Sequence, residues 1–234
     1  MGIIFGGNAF AVITRLFYHC VVKILKGNKL VELPADEVLK IIEGFAKIHV
    51  DLGCGDGRYV YKQALLNPDV IYFGVDPAIK QTTEYARKAN RNKLHNIFFV
   101  QGSLEVPPME LKNTANSLSI YLPWGSLLAA VVKPSCETIN QIKYFAKAKA
   151  EIEIIFGYDA ELEPSETKRL MLEQVNKKYI ETKIVPTFNE NGLILTEAVK
   201  ELTGSDLQKM DLTWGKRISS TIERNYFNIK LKIL

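Results

Sequence analysis

Val50–Tyr61 reads VDLGCGDGRYVY. An apolar strand ends in the acidic Asp51 and passes into three glycines at alternate positions, Gly53, Gly55 and Gly57. Glycines so spaced let the backbone turn tightly and approach a ligand at the carboxyl edge of a sheet. The spacing alone fits several nucleotide-binding folds. Three features narrow it: the carboxylate before the glycines, Asp76 at the end of the next strand, VIYFGVD, and no Lys-Ser/Thr pair after the last glycine to hold phosphates. A carboxylate placed like Asp76, with Pro77 after it, accepts hydrogen bonds from ribose hydroxyls. Asp51 beside the glycine turn repels a pyrophosphate and attracts a cation. The residues therefore favour S-adenosylmethionine, which carries an ammonium and a sulfonium, over a dinucleotide. QGSLE after the third strand then flanks the adenine of that donor with Ser103, Leu104 and Glu105, Leu104 serving as an apolar wall. Asp56, inside the glycine run, is read as a turn residue.

Outward from this motif the chain alternates helical and extended patterns. Upstream, Asp36 is placed to cap a helix whose apolar face carries Val38, Leu39, Ile42 and Phe45. Before it, KILKGNKLVEL reads as a hairpin over 23–33 around a Lys-Gly-Asn-Lys turn. Downstream, a helix with Val60, Ala64 and Leu65 stops near Asn67-Pro68, and Pro77 to about Asn92 reads as another. NIFFVQGS, SLSIYL, EIEIIFGY, LILTEAVK and RNYFNIKLKIL supply the remaining strands. Repeated β-α-β units predict an α/β fold: a mostly parallel, Rossmann-like sheet of seven strands with helices on both faces, the last strand antiparallel and the last two strands pairing antiparallel at its edge. Residues 159–190 exceed a normal loop and are expected as a helical insertion between the fifth and sixth strands. Residues 23–234 thus read as one domain.

The 234 residues are 47% hydrophobic, enough to bury a sizeable core, with a formal net charge of +4. That balance excludes a disordered tail but does not identify a nucleic-acid binder. Cys20, Cys54 and Cys136 lack the spacing of a disulfide framework or a zinc site, which fits a reducing cytoplasm and predicts no metal. Ile3 to Val22 is largely apolar, but Gly6, Gly7, Asn8, Arg15 and His19 interrupt it and no small-residue cleavage site follows. Residues 1–22 are read as a leader, either an amphipathic or disordered stretch or residues translated from a start upstream of the true one.

Several words are more specific than any glycine pattern: HVDLGCGDGRYVYK, YFGVDP, ELKNTANSLSIYLPWGSLL and LTWGKR. From about Val22 to Phe227 they resemble the aminoglycoside-resistance enzymes that methylate N1 of adenine 1408 in the decoding site of 16S rRNA, a family of class I S-adenosylmethionine-dependent methyltransferases. The resemblance implies a substrate presented by the assembled 30S ribosomal subunit, no membrane partner and a monomeric enzyme. It also gives the two tryptophans a role beyond ordinary core packing: Trp124 after the fourth strand and Trp214 before the last strand would stack on a flipped adenine from either side. The backbone at Leu122 and Pro123 would accept from the adenine amino group, and Ser126 would help to hold donor or base. N1 carries its own lone pair, so no general base is nominated and placement is the main catalytic device.

Docking on folded RNA calls for basic side chains that track phosphates. The candidates are Arg87, Lys88, Arg91, Lys93, Lys168, Arg169, Lys216, Arg217 and Arg224. The chain departs from the family pattern in three places. The loop between the second and third strands is shorter and poorer in lysine, Ile222 and Glu223 stand where basic residues are usual, and Leu212 replaces a small hydroxyl residue. Two alternatives follow: a class I methyltransferase acting on another RNA, and a catalytically weak relative that binds donor or RNA.

Overall fold

The computed structural model describes residues 21–210 and 224–234. The first twenty residues, and Leu212, Trp214, Lys216, Arg217, Ile222 and Glu223, lie outside the described residues. In chain order the elements are β1 (Val21–Lys26), β2 (Lys29–Pro34), α1 (Ala35–Glu43), β3 (Lys47–Leu52), α2 (Arg58–Leu66) and β4 (Val70–Asp76). A 3-10 turn over Ile79–Thr82 leads into α3 (Thr83–Arg91), then β5 (Ile97–Gln101), β6 (Ala115–Tyr121), α4 (Gly125–Val132), α5 (Cys136–Lys143) and β7 (Ala146–Phe156). After β7 come α6 (Pro164–Leu170) and α7 (Lys177–Tyr179), which continues through a π turn, Ile180–Ile184, into α8 (Val185–Glu190). The chain closes with β8 (Leu193–Leu195), β9 (Lys200–Leu202), α9 (Gly204–Lys209) and β10 (Tyr226–Ile233).

Among the described residues the strands form one ten-stranded sheet in the order β2-β1-β5-β4-β3-β6-β7-β10-β8, with β9 also paired to β10. The five central strands are parallel and β10 is antiparallel to β7. The expected class and the antiparallel last strand are therefore present, and two features enlarge the sheet. The hairpin is part of it, since Ile24 pairs with Val100 of β5, and LILTEAVK is strand only over β8, a separate β9 starting at its last residue, Lys200. As expected, the last strand pairs antiparallel with the strand from LILTEAVK at the edge of the sheet, β10 lying between β7 and β8.

Period-two alternation assigns the faces. In β4, Ile71, Phe73 and Val75 join the core under α1, α4, α5 and α8, whereas Tyr72 joins the core under α2 and α3. In β7 the same alternation sends Ile154 and Phe156 one way and Ile155 towards Leu207 of α9.

Three local expectations are corrected. Asp36 does not cap α1; the helix starts at Ala35 after Pro34, whose extended ψ of 144° ends the hairpin. Asp36 sits in the first turn, 3.2 Å from Lys40. Leu39 and Leu65 are exposed, because the 3.6-residue period aligns Val38 with Ile42 and Val60 with Ala64 and carries the leucines off that stripe. Val21 and the buried Val22 belong to β1 rather than to a leader. Among the described residues no helix is long and apolar enough to cross a membrane, and no cluster of three metal-ligating side chains occurs.

Candidate active site

Adjacent β3 and β6 are where the winding of the sheet reverses: β3 feeds α2 on one face and β6 feeds α4 on the other. Crevices outside the carboxyl ends of such strands are where open α/β sheets hold ligands. Here the crevice is a cavity of about 560 Å³, within the usual range of small-molecule sites. Asp51, the glycine turn, Asp76, Pro77 and Ser103–Glu105 line one side, and Tyr121–Trp124 with Ser126 line the other.

The glycine turn is closed on itself. Gly53 and Cys54 donate to Val75 O at 2.8 and 3.2 Å, Gly55 donates to Asp76 Oδ2 at 3.0 Å, and Gly57 donates to Cys54 O at 2.9 Å. These N–H groups are used within the fold and form no cradle for a pyrophosphate, which supports the preference for a cationic ligand. Gly53 has φ +73°, and a Cβ there would lie 2.6 Å from Leu127 Cδ2, so the turn is pressed against α4. Asp56 accepts from the Arg58 N–H at 3.0 Å, as a turn residue should.

Asp51 is 3% exposed, and burial pushes its carboxyl up to about 7; the Ser119 hydroxyl opposes this and the Asp76 carboxylate adds to it. Burial also raises Asp76, while N–H groups of Ala78, at 2.7 Å, and Gly55 pull it back. Two backbone donors fix that carboxylate and leave it lone pairs for a ligand's hydroxyls. Leu104 is buried as an apolar wall. Ser126 lines the cavity, and with Ser103 it holds the Glu105 carboxyl below its usual range.

Opposite the acids, β6 ends in a contorted turn. Leu122 has φ +49° while donating to Ile155 O at 2.7 Å, and Gly125 has φ +62°. A leucine in the left-handed region is costly and marks a shape the site requires. Between them Pro123 is buried and Trp124, the residue before α4, is 57% exposed at the cavity mouth. Trp124 is thus not a core residue. Tyr59 and Tyr121 form the floor, rings 4.8 Å apart edge to face, and Tyr121 donates to Glu153, which Asn228 also reaches at 2.8 Å.

Among the described residues the basic candidates are not brought together, and Lys216 and Arg217 lie outside them. Arg224 is corrected most: its guanidinium donates to Glu163 at 2.6 Å and to Gly157 O at 3.1 Å, with both side chains about 10% exposed, in the cavity wall rather than on an outer surface. The antiparallel pairing of β10 with β7 brings Tyr226 over Gly157, and Arg224 with it. Arg169 clasps Glu166 at 3.0 Å beside the Trp124–Gly125 turn, and Lys168 is exposed next to it. Lys88 bonds Glu84 at 2.6 Å and lies over the Tyr85 ring. Arg87, Arg91 and Lys93 are exposed. Since α3 runs back from the cavity edge, Arg91 and Lys93 stand at its far end, just before β5. Sequence reasoning missed His49, Tyr59, Ser117, Ser119, Glu153 and Glu163. The signal available was alternation: H-x-D and S-x-S in strands that are otherwise apolar.

Comparison with known proteins adds relatives to this geometry. The family model for NpmA, 16S rRNA (adenine(1408)-N(1))-methyltransferase, matches residues 23–233. A 16S rRNA (adenine(1408)-N(1))-methyltransferase of Escherichia coli is 34% identical over 210 residues, spanning 88% of this chain and 96% of the relative. Among solved structures, the aminoglycoside resistance methyltransferase NpmB1 is 31% identical with a TM-score of 0.76, covering 91% of this chain and all of that one. A mutant 16S rRNA (adenine(1408)-N(1))-methyltransferase from Catenulisporales acidiphilia, crystallised with cosubstrate SAM, is 27% identical with a TM-score of 0.79, covering 91% and 97%. On the extent of these matches, the chain belongs to the 16S rRNA (adenine(1408)-N(1))-methyltransferase family.

Proposed function

We propose that this protein methylates N1 of adenine 1408 of 16S rRNA in the 30S subunit, with S-adenosylmethionine as donor, and so confers aminoglycoside resistance. The observation that carries the reading is the cavity itself, which joins a buried pair of acids, Asp51 and Asp76, to an exposed tryptophan. When bound, the donor supplies an electrophilic methyl. Asp51 is placed for its ammonium, Asp76 for ribose hydroxyls, and Leu104 with the backbone of Ser103–Glu105 for adenine. Family membership and the donor-bound relative support this fit.

Trp124 offers the target base an indole face. Stacking of this kind is worth roughly 1–3 kcal/mol per base, against a flipping cost of about a few kcal/mol. A second plate is therefore required, and Trp214 is the residue assigned to it. The carbonyls of the Leu122-Pro123 turn receive the adenine amino group. Methylation turns the base into a cation, which aromatic faces stabilise. Docking is assigned first to Lys168 and Arg169 at the mouth, with Lys216 and Arg217, and then to Arg87, Lys88, Arg91 and Lys93 at a distance. Arg224 can meet only a phosphate that enters the cavity with the base. The enzyme acts as a monomer in the cytoplasm and uses no metal.

Primer extension on 16S RNA from 30S subunits incubated with protein and donor tests the reading, because a methyl on N1 blocks base pairing. The expected result is a new stop at adenine 1408. Its absence, with donor binding intact, favours the second reading, another RNA substrate, which the thin lysine content between β4 and β5 and the Ile222-Glu223 pair support.

A further inference from the structure

Beneath Asp51 lies a row of polar side chains that the proposed reaction does not use. The register of β3 against β6 pairs His49 with Ser117 and Asp51 with Ser119. His49, Asp51 and Ser119 are all buried, on the sheet face covered by α2 and α3. Ser117 Oγ lies 2.8 Å from His49 Nδ1, His49 Nε2 lies 2.9 Å from Ser119 Oγ, and the Ser119 hydroxyl donates to Asp51 Oδ1. Counting protons gives the row a direction. A carboxylate only accepts, so the single hydroxyl proton of Ser119 points to Asp51 and its lone pair accepts the Nε2–H. Nδ1 is then left to accept from Ser117.

Aliphatic side chains would fill these positions at less risk to the fold, because a buried polar network stabilises only when every member is satisfied. Around His49 pack the rings of Tyr72 on β4, at 5.3 Å, and Tyr59 on α2, at 6.2 Å. Burial pushes His49 down to about 4 and raises both tyrosine hydroxyls, so near neutral pH these three groups carry no charge. The acids of the cluster are Asp51 and Asp76 at the cavity, and Glu153 behind Tyr59 and Tyr121.

We propose that His49, acting through Ser119, is a positioning residue that fixes the Asp51 carboxylate, one oxygen held inside the sheet and the rest of the group turned to the donor's methionine end. The proposal rests on the donor site assigned above. Without the Nε2–H, Ser119 is free to rotate and the ionised form of Asp51 loses its oriented donor.

The test is calorimetric binding of S-adenosylhomocysteine to the full chain from pH 5.5 to 8, with melting as a fold control. His49→Phe is expected to weaken binding about three- to tenfold at pH 7.5, the worth of one net hydrogen bond, and to move the binding midpoint to higher pH. His49→Gln, whose amide N–H can reach Ser119, should restore the midpoint. If His49→Phe does not fold, Ser119→Ala carries the same expectation. Variants that melt lower but bind with the wild-type constant and midpoint would overturn the positioning role and leave the donor site standing. Wild-type protein that binds no ligand at any pH would overturn both.

Discussion

The two halves of the cavity are built on opposite principles. The donor half is finished in the free protein: its turn N–H groups are engaged, Asp76 is held by two of them, and Asp51 is buried under Ser119. The base half is left open, with a leucine at φ +49° and an indole 57% exposed. A small cationic ligand is gripped best by groups that need no rearrangement. On the proposed reading, a base that arrives attached to a ribosomal subunit needs a surface it can slide onto, and the exposed ring is the one offered for it. The halves should therefore fail separately.

The largest expected effect is on the donor side. Asp51→Asn removes a charge from a buried ionic contact, a change that typically costs about 2–5 kcal/mol. Donor affinity should fall on the order of a hundredfold by calorimetry, and methyl transfer with it. A fall of less than threefold would break the comparison, since Asp51 would then be a structural acid. Trp124→Ala comes next. Loss of one stack, roughly 1–3 kcal/mol, should lower single-turnover methylation about tenfold or more while the donor constant and melting temperature stay at wild type. Joint loss of donor binding would mean that the two halves are one unit.

The difference between the halves also explains what the sequence disclosed. The donor half was legible because each device uses a residue type that little else can replace: glycine for positive φ and an acid at each strand end. Strand periodicity exposed the parallel core for the same reason. Three things stayed hidden. The end of β8 at Leu195 and the start of a separate β9 at Lys200 depend on pairing with β10, which is remote in sequence. The inward turn of Arg224 depends on Glu163, 61 positions away. The His49 row depends on the β3–β6 register: alternation marks the polar face of each strand but not which residues meet across it.

Acidity sharpens the contrast at a smaller scale. Asp51 is raised to about 7 from 3.8 in the unfolded chain, so its contribution to stability is full below 3.8 and is lost as pH rises through about 7. A cationic donor needs the ionised form. Going from pH 7.5 to 6 should therefore weaken donor binding roughly eightfold, following the ionised fraction. His49 acts in the other direction: lowered to about 4, it adds stability above 6.5 that fades as pH falls towards 4. Stacking on Trp124 involves no titrating group, so with saturating donor the rate of transfer should be nearly flat over the same range. A steep residual pH dependence would place an ionising group in the base half after all.

The smallest effect concerns how the RNA arrives. Lys168 is exposed on α6, beside the Arg169 that flanks the Trp124–Gly125 turn, whereas Lys93 lies past the far end of α3. If docking is centred on the mouth, Lys168→Ala should weaken 30S binding about threefold and lower the slope of log affinity against log salt by about one, as expected for one lost phosphate contact. Lys93→Ala should then change neither quantity. Equal effects would mean that RNA reaches round the α3 face, and the open half of the site would extend well beyond its tryptophan. Donor binding should be untouched in both variants, because neither lysine lines the cavity.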